Sequence, residues 1–238
     1  ITVDPSRYLS VTDYGAVPND GNDDRSAFVS CITAAVSQGK GVYIGEGVFD
    51  LGNNLLVQET DVQGAGMWYT ELRFTRGLSR CGIFGFGNNT SVRDLYMRSE
   101  EVRREGSGNA FRQYFGTNSV IENVWAEHFG VGAWIADYTA PYEVTDGLVI
   151  RNCRFRNTFA DGVNLARGTK NSIVENCHFR GNGDDSIATW SSTTNLPMCL
   201  SNTFRYNTVE CTYRAAGIGV FGGQDHRVHH NIVRDAIS

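Results

Sequence analysis

Proline is scarce in this chain, with 4 residues against 27 glycines in 238. Proline interrupts sheet ladders and glycine supplies turns, so this balance suits a β protein with many turns. No apolar run is long enough to span a bilayer, and no membrane is expected as a partner. Basic residues are outnumbered, 21 Lys and Arg against 26 Asp and Glu, for a net charge of -5. Nucleic acid needs a basic face, so it is not expected as a partner either. The same charge argues against a polyanionic substrate such as pectate. Six cysteines, at 31, 81, 153, 177, 199 and 211, lack any C-x-x-C spacing, which argues against zinc. They read as buried thiols packing like small hydrophobes; the alternative is disulfide pairing in a secreted protein. No signal peptide precedes Ile1, as in a mature or trimmed chain. With 41% apolar residues the chain can bury one domain core or one long solenoid.

Turn formers punctuate residues 11–22. Asp23 or Asp24 can cap a helix in which Phe28, Ile32, Ala35 and Val36 share one face, and Gly39 can stop it. A short strand is expected at Gly41-Val42-Tyr43-Ile44, then Gly45–Phe49. Residues 55–76 alternate short apolar runs with turns.

From residue 91 a repeat is readable. Asn123, Asn152, Asn176, Asn207 and Asn231 recur at intervals of 29, 24, 31 and 24, each three residues after an apolar one. A coil of about 24 residues with inserted loops fits these intervals, and stacked asparagines can form a hydrogen-bonded ladder. Eleven residues after the first four Asn come Trp134, Val163, Ile187 and Ile218, an apolar column expected to face inward. Nine residues after come Gly132, Asp161, Asp185 and Ala216, and Asp184 precedes Asp185. Acid thus enters a uniform column on two adjacent coils only, as a site grafted onto a scaffold would. The whole of 1–238 reads as a single β-helix domain, with 1–50 its N-terminal cap and lead-in and 51–238 its coils. A coil starting near Arg227 has no cap by Ser238, so a further C-terminal segment or a second chain is expected to cover that end.

Adjacent strands stack about 4.7–4.9 Å apart, so Asp161, Asp184 and Asp185 are expected in one patch. Crowded carboxylates repel, and at least one should hold its proton unusually tightly. Glycoside hydrolysis needs such a pairing: one carboxylic acid for the leaving oxygen, and a carboxylate for water or the sugar. Ordinary surface turn Asp is the plain alternative. A cation site in a polysaccharide lyase, with Arg214 on the next coil as the basic residue, is another. Structural calcium stays open, and no organic cofactor is expected. Trp190, five residues beyond Asp185, can stack on a sugar ring or pack in a loop. Arg167, Arg214, Asp225 and His226 are candidates to hydrogen-bond sugar hydroxyls, although His226 also suits a turn. His229 and His230 read as neighbours of the Asn231 ladder, Trp134 as core, and Glu100–Glu105 as a solvated loop.

Three resemblances sharpen this reading. The run Asp13-Tyr14-Gly15-Ala16, Asp20-Gly21 and Asp23-Asp24, followed by Gly39–Ile44 and Glu46-Gly47, resembles the start of right-handed β-helix proteins of the pectate-lyase-like superfamily, where a helix plugs the solenoid. The Asp161…Asp184-Asp185 pattern is similar to polygalacturonases, but their Gly-His-Gly and Arg-Ile-Lys motifs are lacking. Residues 159–191, FADGVNLARGTKNSIVENCHFRGNGDDSIATWS, look closer to glycoside hydrolase family 87, the bacterial α-1,3-glucanases and mycodextranases. That resemblance covers the N-terminal part and about 119–238. It implies an all-β right-handed parallel β-helix with an N-terminal capping α-helix, secreted by a bacterium. It also implies an endo-acting, inverting α-1,3-glucanase with catalytic Asp161, Asp184 and Asp185 and a polysaccharide substrate. By analogy with polygalacturonases, Asp184 is the acid, and Asp161 and Asp185 hold the water. The rivals are hydrolysis of nigeran or a pectic chain, lyase action, and a non-catalytic glycan-binding β-helix.

Overall fold

The structure, a computed structural model, describes residues 4, 6–75, 81–100, 102–104, 108–191 and 197–237. Short β-rich segments separated by turns wind into a parallel β-helix. Among the described residues its strands form a 15-stranded and a 7-stranded sheet, and every strand pairing is parallel. Each coil contributes one strand per face. The two coils that carry the site use Val149–Arg151, Arg154–Arg156 and Val163–Ala166, then Ile173–Glu175, His178–Arg180 and Ile187–Trp190.

Inward residues stack in columns, because a parallel ladder places each residue over its counterpart. One column is Val92, Ile121, Ile150, Val174 and Phe204, all buried. A second runs Leu72, Met97, Ala126, Phe155, Phe179 and Val209, also buried, with the rings of Phe155 and Phe179 stacked at 5.4 Å. The third is Ile83, Phe111, Ala133, Val163 and Ile187. Outside, one column alternates in charge: Arg93, Glu122, Arg151, Glu175, Arg205. Arg151 grips Glu122 through two bonds of 2.8 and 2.9 Å, and Arg205 donates to Glu175 at 2.7 Å.

The register corrects two expectations. Ile173 pairs with Thr203, not Phe204, so the asparagine at 207 lies one residue out of line with 176. The true column is Asn123, Asn152, Asn176, Tyr206, His230, and all five have positive φ. The first three asparagines therefore mark a left-handed corner, which their short polar side chains tolerate. The hydrogen-bonded ladder sits one position on, beneath Cys153 and Cys177. Asn207 Nδ2 donates to Asn231 Oδ1 at 3.0 Å, and the Cys177 amide donates to Asn207 Oδ1 at 3.0 Å. Trp134 pairs with Asn164, not Val163. Ala133 fills the inward place, and the indole points outward instead of into the core. The coil of Trp134 is one residue shorter between its second and third faces than the coil below it, which turns the side chain over.

The helix Arg25–Gln38 covers one end of the solenoid. Phe28, Cys31, Ile32 and Ala35 are buried, and the Phe28 ring meets Phe49 edge-on at 5.6 Å. Gly39 ends the helix in the left-handed conformation, its amide donating to Val36 and that of Lys40 to Ala35. Asp24 holds the N-cap place, but its carboxylate accepts from the Val17 amide; Asp23 accepts from Arg25 instead. All six cysteines are thiols, five of them buried. No helix among the described residues is long and apolar enough to cross a membrane.

Candidate active site

Asp161 and Asp185 occupy the same position on adjacent coils, each two residues before a strand of the seven-stranded sheet. The turns that carry them are locked together. Gly162 donates to the Asp185 carbonyl at 3.0 Å, and Gly183 to the Thr158 carbonyl at 3.0 Å. A Cβ on Gly162 would stand 2.3 Å from the Ser186 carbonyl oxygen, and one on Gly183 would stand 2.4 Å from that of Phe159. Only glycine lets these turns approach so closely. Beneath them, buried Asn182 donates to Thr158 Oγ1 at 2.7 Å and accepts from Ser186 Oγ at 2.9 Å, and Ser186 meets Thr212 at 2.7 Å. This network ties together the turns of three coils below the carboxylates.

Oxygens of Asp161, Asp184 and Asp185 all lie within 4.8 Å of one another. That is close enough to share a proton or to hold a water or a cation. Asp161 and Asp185 are buried, 6% and 8% exposed, while Asp184 is more open. Burial pushes the Asp161 carboxyl up to about 6; Asn164 Nδ2, donating at 2.9 Å, opposes this, and the neighbouring Asp184 and Asp185 add to it. Burial also raises Asp185, against the Ala216 amide that donates to it at 2.9 Å, and Asp184 adds to the rise.

The trio lies in an open cleft of about 380 Å³ lined also by Arg104, Trp134, Ala160, Asn164, Trp190 and Phe221. The Trp134 and Trp190 rings lie 6.4 Å apart on one side, and Trp190 is 38% exposed. Trp190 therefore lines the site as expected. Trp134, expected in the core, lines it too. Its indole N–H donates to the Tyr138 hydroxyl at 2.6 Å, and the Arg167 guanidinium lies 3.8 Å from the Tyr138 ring centre. Arg167 thus adjoins the cleft through Tyr138 without lining it.

The other candidates lie elsewhere. Arg214 and Asp225 are exposed and outside the cleft lining. His226 is a turn residue whose Nδ1 accepts from the Asn202 amide at 3.2 Å, and burial lowers its affinity for a proton. Sequence reasoning also missed Arg104. The expected solvated loop includes Glu101 and Glu105, which lie outside the described residues, and Val102, which is exposed. Arg104, however, reaches across to pair with the Asp184 carboxylate. Asn164 carried a readable signal: it is the outward residue between inward Val163 and Leu165, and it is polar yet buried.

The chain is thus a parallel β-helix whose adjacent coils stack carboxylates in a cleft that two tryptophans also line. More narrowly, the family described as alpha-1,3-glucanase catalytic domain D2 matches residues 31–238, and the chain belongs to that family. The catalytic domain of Agl-KA superposes with a TM-score of 0.94 at 43% identity, over 99% of this chain and 43% of that one. The catalytic unit of the thermostable family 87 α-1,3-glucanase from Streptomyces thermodiastaticus gives a TM-score of 0.85 at 30% identity, over 99% of this chain and 42% of that one. A family 87 α-1,3-glucanase catalytic domain solved with tetrasaccharides gives 0.77 at 25% identity, over 97% and 40%. Structures of this last kind include alanine substitutions of three aspartates, spaced 23 and 1 residues apart. The chain spans less than half the length of these relatives. No curated protein matches it.

Proposed function

We propose that this domain hydrolyses the α-1,3-linkages of a neutral glucan from within the chain, inverting the anomeric centre, with Asp161, Asp184 and Asp185 as its catalytic groups. The observation that carries this reading is the carboxylate trio set at the base of an open, tryptophan-walled cleft. The spacing of the three, at 161, 184 and 185, equals that of the aspartates substituted in the relatives solved with tetrasaccharides and nigerose. Asp184 protonates the departing glycosidic oxygen as the bond from C1 to it breaks. Asp161 and Asp185 hold a water, and one of them takes its proton as the water oxygen bonds C1 from the opposite face. Carboxylates that bind protons more tightly than usual are stronger bases, which suits Asp161 and Asp185 to this task. The division of roles rests on the polygalacturonase analogy. The cleft is open, which suits attack within a long chain, and Trp134 and Trp190 offer faces for sugar rings. No organic cofactor enters this chemistry. The protein would act outside the cell, where an insoluble glucan lies.

Proton NMR of the products from insoluble α-1,3-glucan tests the proposal. Early β-anomers from the wild type and none from Asp185→Asn are expected. Early α-anomers would overturn inversion and the role assignment. Unsaturated products absorbing in the ultraviolet would point to a lyase, and binding without released sugars to a glycan-binding protein.

A further inference from the structure

We propose that Arg104 is a positioning residue for this chemistry, clamping Asp184 so that one carboxylate oxygen is held by the protein and the other is left for the glycosidic oxygen. The inference rests on the hydrolytic reading above. Arg104 donates from Nη2 to Asp184 Oδ2, and from Nη1 to the carbonyls of Phe159 and Gly183, each at 3.2 Å. Those carbonyls belong to the turns before Asp161 and Asp184, on neighbouring coils. One guanidinium therefore ties an acid to the two turns that define the cleft floor.

Asp184 needs such a tether. It is the most exposed carboxylate of the trio, and the other two crowd it within 4.8 Å. A carboxyl group this open can turn toward solvent, away from the bond it must protonate. Arg104 is the only cation lining the cleft among the described residues, and its bond to Oδ2 fixes the orientation of the group. Because a guanidinium is a planar fork, it can serve a carboxylate and two carbonyls at once; an ammonium is a point charge on a flexible stem.

The test is kinetic, in the full-length protein. Misplacing a reacting group by about 1 Å can cost about 100-fold in rate. Arg104→Ala is expected to lower kcat on α-1,3-glucan by about that factor with KM within about threefold, since the tryptophans still bind the chain. Added guanidinium should recover part of kcat, and Arg104→Lys should fall between wild type and Arg104→Ala. In an Asp184→Asn background, Arg104→Ala should cost nothing further. Folding is checked by circular dichroism and thermal melts of each variant. A kcat within about twofold of wild type, a change confined to KM, or an equal loss in the Asp184→Asn background would overturn the positioning role. If Asp184→Asn itself is as active as wild type, the placement of Asp184 in the chemistry fails, whatever Arg104 does. If Asp184→Asn is inactive and Arg104→Ala keeps a kcat within about twofold of wild type, only the clamp fails.

Discussion

A carboxyl as enclosed as that of Asp161 is carried by the fold at a cost. Its value rises from 3.8 to about 6 on folding. Between those pH values the folded chain binds more protons than the unfolded one, so stability is full below about 3.8 and is lost as pH rises through about 6. At neutral pH the penalty is on the order of 2–3 kcal/mol. Asp161→Asn removes the charge from a buried place. We therefore expect its melting temperature to exceed that of wild type at pH 7 and to match it near pH 4. We also expect a loss of kcat of roughly 100- to 10,000-fold, the usual contribution of a positioned acid or base. Melts at both pH values, run beside glucan assays, check this; a mutant less stable than wild type at pH 7 would mean that Asp161 has a structural use. On the proposed role of Asp161 as a base, a pH profile of kcat/KM should show an acidic limb near pH 6. Asp161, Asp184 and Asp185 were legible in the sequence because a repeat supplies its own control: counting from the asparagines, neighbouring coils show Gly132 and Ala216 where the site has acid, and the strand register replaces Gly132 by Val131, which is equally without charge. Arg104 had no such control. It comes from a loop with no counterpart in the repeat, and its charge run looks like any solvated face.

At the scale of the element, turns decide what strands present. Gly162 and Gly183 allow two turns to touch, and a methyl group on Gly162 has no room. Gly162→Ala is expected to lose about 2 kcal/mol or more, since backbone must move. Gly45→Ala, whose Cβ would meet nothing within 4 Å, should change stability by under about 0.5 kcal/mol. Urea unfolding of the two variants compares them directly. A Gly162→Ala protein as stable as wild type would show that the turns are looser than described. Turns also explain which elements the sequence misplaced. Counting forward from one asparagine holds only until a residue is gained or lost. The shorter bend before Ala133 turned Trp134 from core to cleft wall, and the slip after Asn176 moved the ladder to Asn207 and Asn231. Periodicity identifies the coil; insertions inside it are visible only once strands pair.

Over the whole molecule, each coil touches only its neighbours, so a change at one end should leave the far site intact. Phe28 anchors the capping helix against Phe49. Phe28→Ala should cost about 3–5 kcal/mol and lower the melting temperature, while kcat at a temperature where it stays folded remains within about twofold of wild type. A large fall in kcat under those conditions would show the cap and the site to be coupled. The alternating column of Arg93, Glu122, Arg151, Glu175 and Arg205 bears on the same architecture in another way. Each surface pair contributes little by itself, but alternation gives the solenoid a parity. Excising one coil, such as that of Arg151, would set Glu122 directly against Glu175, and duplicating one would set like against like. Excising or duplicating two keeps every charge opposite its complement. A solenoid marked in this way grows and shrinks most easily by pairs of coils, and the two coils that share the carboxylates are one such pair.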